Sequence, residues 1–323
     1  MAGVAGVKVA PEERGRGIGT AMMTRMLGEV AERGYPVSAL YPATAPLYRS
    51  FGWEIAGGRY ETVLPTRSLA ALPRPDESVT AGRSEPVAPR RATPDDASAI
   101  IDVLGLVHAS LRHCGPNTRE PWECRHWLDY SGNFAYLAAD GFLSYRWARG
   151  GEEIVVEQLV AVSAAIARAF WQILASHGTI ASQVRVCLAP DDAMHWLTRE
   201  PDAQTHRAES WMLRIVDAPA AIAARGFPAT VTASVPLEIR DAARPANAGH
   251  WQLEVAGGQG SLQAAGGEAA RPLRLGARGL AALFAGAGTG ALRLAGLAAG
   301  GDPAADEALD AAFGGTAFLI ETW

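Results

Sequence analysis

The first fifty residues constrain this chain most. An apolar run, Val4 to Val9, passes through Ala10-Pro11-Glu12-Glu13 into Arg14-Gly15-Arg16-Gly17-Ile18-Gly19. A helical pattern follows from Thr20 to Arg33, with Met22, Met23, Met26, Leu27, Val30 and Ala31 recurring at three- and four-residue spacing. Gly34 stands where such a helix should stop. Strand, glycine loop and helix in that order make a cradle for a pyrophosphate. Glycines let backbone N–H groups approach an anion with no Cβ in the way. The helix start adds unpaired N–H groups and the positive end of its dipole. Arg14 and Arg16 add charge suited to phosphate oxygens. A solvated basic turn before a helix is the plainer reading. The spacing excludes two other phosphate loops, because no Gly-Lys-Ser/Thr and no Rossmann G-x-G-x-x-G with its acidic partner is present.

The next segment strengthens the case for a phosphate ligand. Val37 to Tyr41 reads as a strand, and Ala45-Pro46-Leu47-Tyr48-Arg49-Ser50-Phe51-Gly52-Trp53 follows it. With R-x-x-G-x-G before it, this order resembles the GCN5-related N-acetyltransferase (GNAT) superfamily. The resemblance implies that the first loop binds the pyrophosphate of coenzyme A and that Tyr48 lies near the acetyl thioester. Tyr48 suits that place chemically. A phenol with a pKa near 10 can donate a hydrogen bond or a proton to a departing thiolate. A half-buried aromatic packed beside Phe51 is the alternative.

Composition bounds the remainder. A chain of 323 residues, 49% of them hydrophobic, accommodates two or three domains with real cores. A formal charge of −5 disfavours a nucleic-acid partner. Neither a signal-peptide pattern nor an 18-residue uncharged apolar run is present, so a cytoplasmic protein with no membrane partner is expected. Cys114, Cys124 and Cys187 are too few and too irregular for a disulfide framework. His113-Cys114 and Cys124-Arg125-His126 lack the paired spacings of structural zinc sites, and no metal is expected.

Three units are expected, of mixed α/β (α+β) class: residues 1–88, 89–208 and 209–323. The first ends in a strand near Arg59 to Leu64, and the proline-rich stretch 65–94 reads as a linker. In the second, Thr93 caps a helix with Pro94 at its first position, and Ala97 to His108 is helical. Strands are expected at Phe134 to Ala138, Gly141 to Ala148, Glu152 to Glu157 and Val184 to Leu188. Helices are expected at Ser163 to His177 and Asp191 to Leu197. The element order is GNAT-like but lacks R-x-x-G-x-G, so this unit should not bind coenzyme A. The third unit carries strands at Ala229 to Ile239, His250 to Val255 and Ala291 to Leu294, with helices around Leu280 to Phe284 and from Asp302 to Phe313. Its order resembles the sterol carrier protein fold, as a lipid site or as a packing module.

A partial GNAT domain, a degenerate second copy and a sterol-carrier-like domain together resemble the enhanced intracellular survival (Eis) family. The strings that carry this are Val-Ala-Pro-Glu-Glu-Arg-Gly-Arg-Gly at 9–17, Leu-Tyr-Arg-Ser-Phe-Gly-Trp at 47–53, Ala-Pro-Asp-Asp-Ala-Met at 189–194 and Trp-Met-Leu-Arg-Ile-Val-Asp-Ala-Pro at 211–219. The resemblance implies a cytosolic homo-oligomer, a hexamer, that acetylates amines of aminoglycosides or lysine. It implies that Val7, Lys8, Val9, Arg14, Gly15, Arg16, Gly17, Ile18, Gly19 and Thr20 hold acetyl-CoA. Tyr48 would be the general acid and the α-carboxylate of Trp323 the base. Such a carboxylate, buried in a cleft, gains basicity because its charged form is disfavoured there. Glu321 is a second anion for a cationic substrate, or an ordinary surface charge. Superfamily members carry strands and helices before the coenzyme A strand, and here Met1 lies just ahead of it. Either the start is misassigned, which leaves the acetyltransferase reading in place, or the chain is a truncated relative; the alternative to an acetyltransferase is an inactive truncated relative that binds a lipid or partner.

Overall fold

The computed structural model describes residues 1–70, 72, 88–111, 113–115, 119–200, 202–266 and 271–320. The fold is mixed α/β, and the chain divides into two compact units. One comprises residues 1–57 and 209–317; the other comprises residues 58–208 together with 318–322.

The first unit begins with a short strand, Ala2–Val4, parallel to Val37–Leu40 in the register Ala2↔Ser38 to Val4↔Leu40. Residues 212–215 pair antiparallel on the other side of Val37–Leu40. Helix Ile18–Glu32 lays Met23, Leu27 and Val30 on this layer, one turn apart, against Val4, Leu40, Trp53 and Met212. The helix stops as its sequence suggests. Gly34 takes φ +74°, its amide donates to the Ala31 carbonyl (2.9 Å), and the Tyr35 amide donates to Val30 (3.2 Å).

The rest of this unit is a five-stranded sheet in the order Gln259–Ala264, Gly249–Ala256, Ala233–Arg240, Leu273–Gly276 and Ala298–Gly300. Only the pair Ala233–Arg240 and Leu273–Gly276 is parallel. Val235, Leu237 and Ile239 alternate inward with period two. A charged network is buried in this unit: the Arg214 guanidinium grips both oxygens of Asp241 at 2.7 Å, and Asn247 Nδ2 donates to the same carboxylate at 3.1 Å. Neither partner of this ion pair reaches solvent, so removing either side chain leaves a buried charge and costs about 3–5 kcal/mol.

The second unit has helices on both faces of its sheet. Residues 61–65 pair antiparallel with Gln183–Cys187, which runs parallel to Glu153–Ala161. Gly141–Ala148, Asn133–Ala138 and Arg90–Arg91 continue the sheet by antiparallel steps. Helix Ala164–Ala175 covers one face with Ile166, Phe170, Trp171 and Leu174. Helix Ala97–Leu111 covers the other with Ile100, Val103, Leu104 and Val107. Thr93 and Asp96 form a reciprocal capping box ahead of it.

Several expectations are corrected. The first strand is Ala2–Val4 rather than Val4 to Val9, because Gly6 turns the chain to φ +68° and ends the pairing. Ala291 to Leu294 lies in a helix, Thr289–Leu294, that opens with Leu292 N bonded to Gly288 O (3.1 Å) and with the Thr289 amide capped by Asp310 (2.7 Å). Short apolar runs do not reveal which period they follow. Within the stretch read as linker, Thr66–Ala70 is a helix with Leu69 buried. Among the described residues, no helix is long and apolar enough to cross a membrane, and no group of three His, Cys, Asp or Glu could hold a metal ion.

Candidate functional site

The site in the first unit starts where two parallel strands part. Their register ends at Val4↔Leu40. From Ala5 the chain leaves the sheet, and Val7 and Val9 follow half-buried, with Lys8 exposed between them. A 3-10 turn at Pro11–Glu13 then delivers the glycine loop. Gly15 and Gly17 take φ +77° and +78°, a left-handed backbone that a side chain would strain. Gly17 is the N-cap of helix Ile18–Glu32 and offers no side chain to cap it. The amides of Ile18, Gly19 and Thr20 therefore meet no intrahelical acceptor. These amides, with the helix dipole, make an opening for an anion.

The two loop arginines are placed differently. Arg14 Nε donates to the Val9 carbonyl (3.3 Å), tying the loop back to the departing strand. Arg16 is ion-paired with Glu13 at the surface. Arg14, Gly15, Arg16, Gly17 and Thr20 are exposed, while Ile18 and Gly19 are half-buried.

Helix Ala45–Ser50, which carries Tyr48, comes against the start of helix Ile18–Glu32 through Leu47. A Cβ built on Gly19 would stand 3.8 Å from Leu47 Cδ2 and 3.9 Å from Val9 Cγ2. The departing strand, the loop helix and the tyrosine helix thus converge around Gly19. Tyr48 itself is buried, 6% exposed, among Val4, Met23, Leu40, Phe51 and Trp53. Burial pushes its phenol up from the ordinary value, so it stays protonated through the neutral range.

The turn after Tyr48 is fixed tightly. Gly52 takes φ +87°, and a Cβ there would lie 2.6 Å from Ala277 Cβ and 3.0 Å from Arg214 Cζ. Next to it Glu54 is buried. Burial alone would raise its carboxyl. Hydrogen bonds from Arg49 (2.9 and 2.7 Å), the Ile55 amide (2.9 Å) and Arg278 (2.5 Å) outweigh this and hold it below the usual carboxylate range. Arg49, one residue past Tyr48, is thereby anchored. Sequence reasoning missed both this cluster and Arg214. The available signal was a lone charge inside each of the apolar runs Trp53 to Ala56 and Trp211 to Val216. Trp323 and Glu321 lie outside the described residues.

Comparisons with known proteins bear on the fold and the family. Residues 1–56 and 115–215 each match an acetyltransferase (GNAT) domain model, and residues 218–319 match a sterol carrier protein domain model. A crystal structure titled GCN5-related N-acetyltransferase from Kribbella flavida superposes with a TM-score of 0.88 at 42% identity, covering 99% of this chain and 79% of that one. An uncharacterized N-acetyltransferase of Streptomyces coelicolor is 31% identical over 276 residues, 78% of this chain and 63% of the relative. N-acetyltransferase Eis of Mycobacterium tuberculosis is 28% identical over 264 residues, 75% of this chain and 62% of Eis. The chain thus spans under two thirds of the length of these two curated relatives.

Proposed function

Because the chain belongs to the GCN5-related N-acetyltransferase family, we propose that it transfers an acetyl group from acetyl-CoA to a primary amine. The acceptor we assign is a cationic small molecule of aminoglycoside type, or a lysine side chain. The observation that carries this reading is the convergence on Gly19 of the parting strand, the glycine loop and the helix of Tyr48.

Acetyl-CoA supplies an activated acyl thioester. The amides of Ile18, Gly19 and Thr20 would hold its pyrophosphate, with Arg14 and Arg16 adding charge, and the backbone of Val7 and Val9, freed from strand pairing, would hold its amide-bearing arm. The new N–C bond forms from the amine lone pair as the C–S bond breaks. The amine must lose a proton, and the departing thiolate must gain one. Tyr48, kept protonated by burial, gives the second. The α-carboxylate of Trp323, in a chain that ends there, takes the first, with Glu321 drawing the cation in. A cytoplasmic homohexamer is the assembly we assign with this function, and light scattering tests its mass.

The test is release of free CoA thiol from acetyl-CoA with a panel of polyamines, aminoglycosides and lysine peptides. The panel is run on this chain and on the same chain extended upstream to the length of its relatives. Amine-dependent release by either supports the reading, and release by neither contradicts it.

A further inference from the structure

The second unit has a cleft of its own. Its parallel strands Glu153–Ala161 and Gln183–Cys187 keep register only from Glu153↔Gln183 to Val156↔Val186. Past that point a cavity of about 350 Å³ opens between the strand ends and the start of helix Ala164–Ala175. That size falls within the roughly 300–1,000 Å³ of small-molecule sites.

A pyrophosphate does not suit this cleft. The chain enters the helix through Val162-Ser163, with no glycine. Ser163 Oγ already accepts the Ile166 amide (3.3 Å), and the Ser163 amide is spent on the Asp140 carboxylate (3.1 Å), which would repel an anion.

The walls are apolar instead. Leu159, Trp171, Leu188, Leu197, Phe318 and Ile320 line the cavity. The Phe318 ring is held edge-on to His113, centroids 4.7 Å apart. At the mouth stand Leu111, Val162 and Trp196, which are 50%, 48% and 74% exposed. Single exposed apolar side chains are ordinary, but several around one opening mark a binding surface.

The charge is one-sided. Asp191 and Asp192 line the cavity, and its described lining contains no Lys or Arg. Burial lowers the His113 imidazole from its ordinary value, against the opposing pull of the Asp191 carboxylate. Burial pushes the Asp192 carboxyl up despite the hydrogen bond it accepts from the Met194 amide (2.8 Å) and the neighbouring His195. A carboxylate set in such a wall gains from an incoming cation.

We propose that this cavity binds an amphipathic amine, its hydrocarbon or aromatic body between Trp171, Trp196 and Phe318 and its ammonium against Asp191 and Asp192. The cavity is lined by residues of the second unit, and the proposal does not rest on the acetyl-transfer reading.

The test is calorimetric titration of the full chain with n-octylamine, octan-1-ol and octanoate, with tryptophan fluorescence as a second readout. Octylamine binds saturably, octanol about tenfold or more weakly, and octanoate least. Asp192→Asn, which keeps an acceptor for the Met194 amide, brings octylamine down to the level of octanol and leaves octanol unchanged. Trp196→Ala, at an exposed position, weakens both. The proposal is overturned if octylamine shows no saturable binding. It is equally overturned if octylamine and octanol bind alike and Asp192→Asn changes neither.

Discussion

The two clefts of this molecule are built on one scaffold and differ in how the chain crosses from strand to helix. In the first unit, parallel strands part after Val4↔Leu40, and the chain takes the long way from Ala5 to Gly17 before helix Ile18–Glu32. In the second, parallel strands part after Val156↔Val186, and only Val162-Ser163 separates strand from helix Ala164–Ala175. The long crossing carries Gly15 and Gly17 in the left-handed region and leaves the helix amides unused. The short crossing caps the Ile166 amide with Ser163 Oγ and sets the Asp140 carboxylate at the helix start, where it takes the Ser163 amide. A helix start becomes an anion site only when nothing within the chain has already satisfied it. The second cleft therefore keeps the cavity and loses the phosphate.

Four outcomes would break or sharpen this contrast. The largest is expected at Tyr48. Tyr48→Phe keeps the buried ring and removes the proton donor, so kcat falls by about 10²-fold or more while KM for acetyl-CoA holds. A steady-state comparison showing kcat within twofold would remove Tyr48 from the chemistry. Next comes the loop. Gly17→Val forces a branched side chain to φ +78°, a strain of about 1–3 kcal/mol, and KM for acetyl-CoA rises some tenfold or more. An unchanged KM would mean the loop does not cradle the cofactor.

The matching change in the second cleft is smaller and of another kind. Ser163→Ala removes a helix cap worth about 1 kcal/mol and lowers Tm by a few degrees, with KM for acetyl-CoA unmoved. A rise in KM would show that the second cleft does bind the cofactor.

The smallest concerns acid. His108 and His113 meet at 3.1 Å between their Nδ1 atoms, and burial, then the facing His113, lowers His108 to about 4 from 6.5. A histidine depressed in the folded state stabilises above its unfolded pKa. The unfolded chain binds the extra proton first, so stability is lost as pH falls from about 6.5 towards 4. Hydrogen exchange across that window should lose protection in helix Ala97–Leu111 before helix Ile18–Glu32, and His108→Gln should flatten the difference.

The sequence made some of this legible because local rules decide it. The loop R-x-x-G-x-G, the stop at Gly34 and the cap at Thr93 each depend on a few adjacent residues, and helix and strand periods around them were strong. It hid what depends on distant partners. Arg214 is a lone charge in an apolar run, and only the fold brings it Asp241, which Asn247 holds in turn. The strand Gln259–Ala264 sits in Gly-rich sequence with little alternation and takes its identity from the neighbour it pairs with, while Leu273–Gly276 alternates but is only four residues long. Tyr48 was placed by motif, but its depth in the core, which raises its proton affinity, comes in part from Val4 and Met23, distant in the chain.

The most direct measurement is the stoichiometry of coenzyme A binding to the full chain by calorimetry. One molecule per chain, bound some tenfold or more weakly in Gly17→Val and unchanged in Ser163→Ala, is the result this account requires. Two molecules per chain, none, or an affinity left unchanged by Gly17→Val would contradict it.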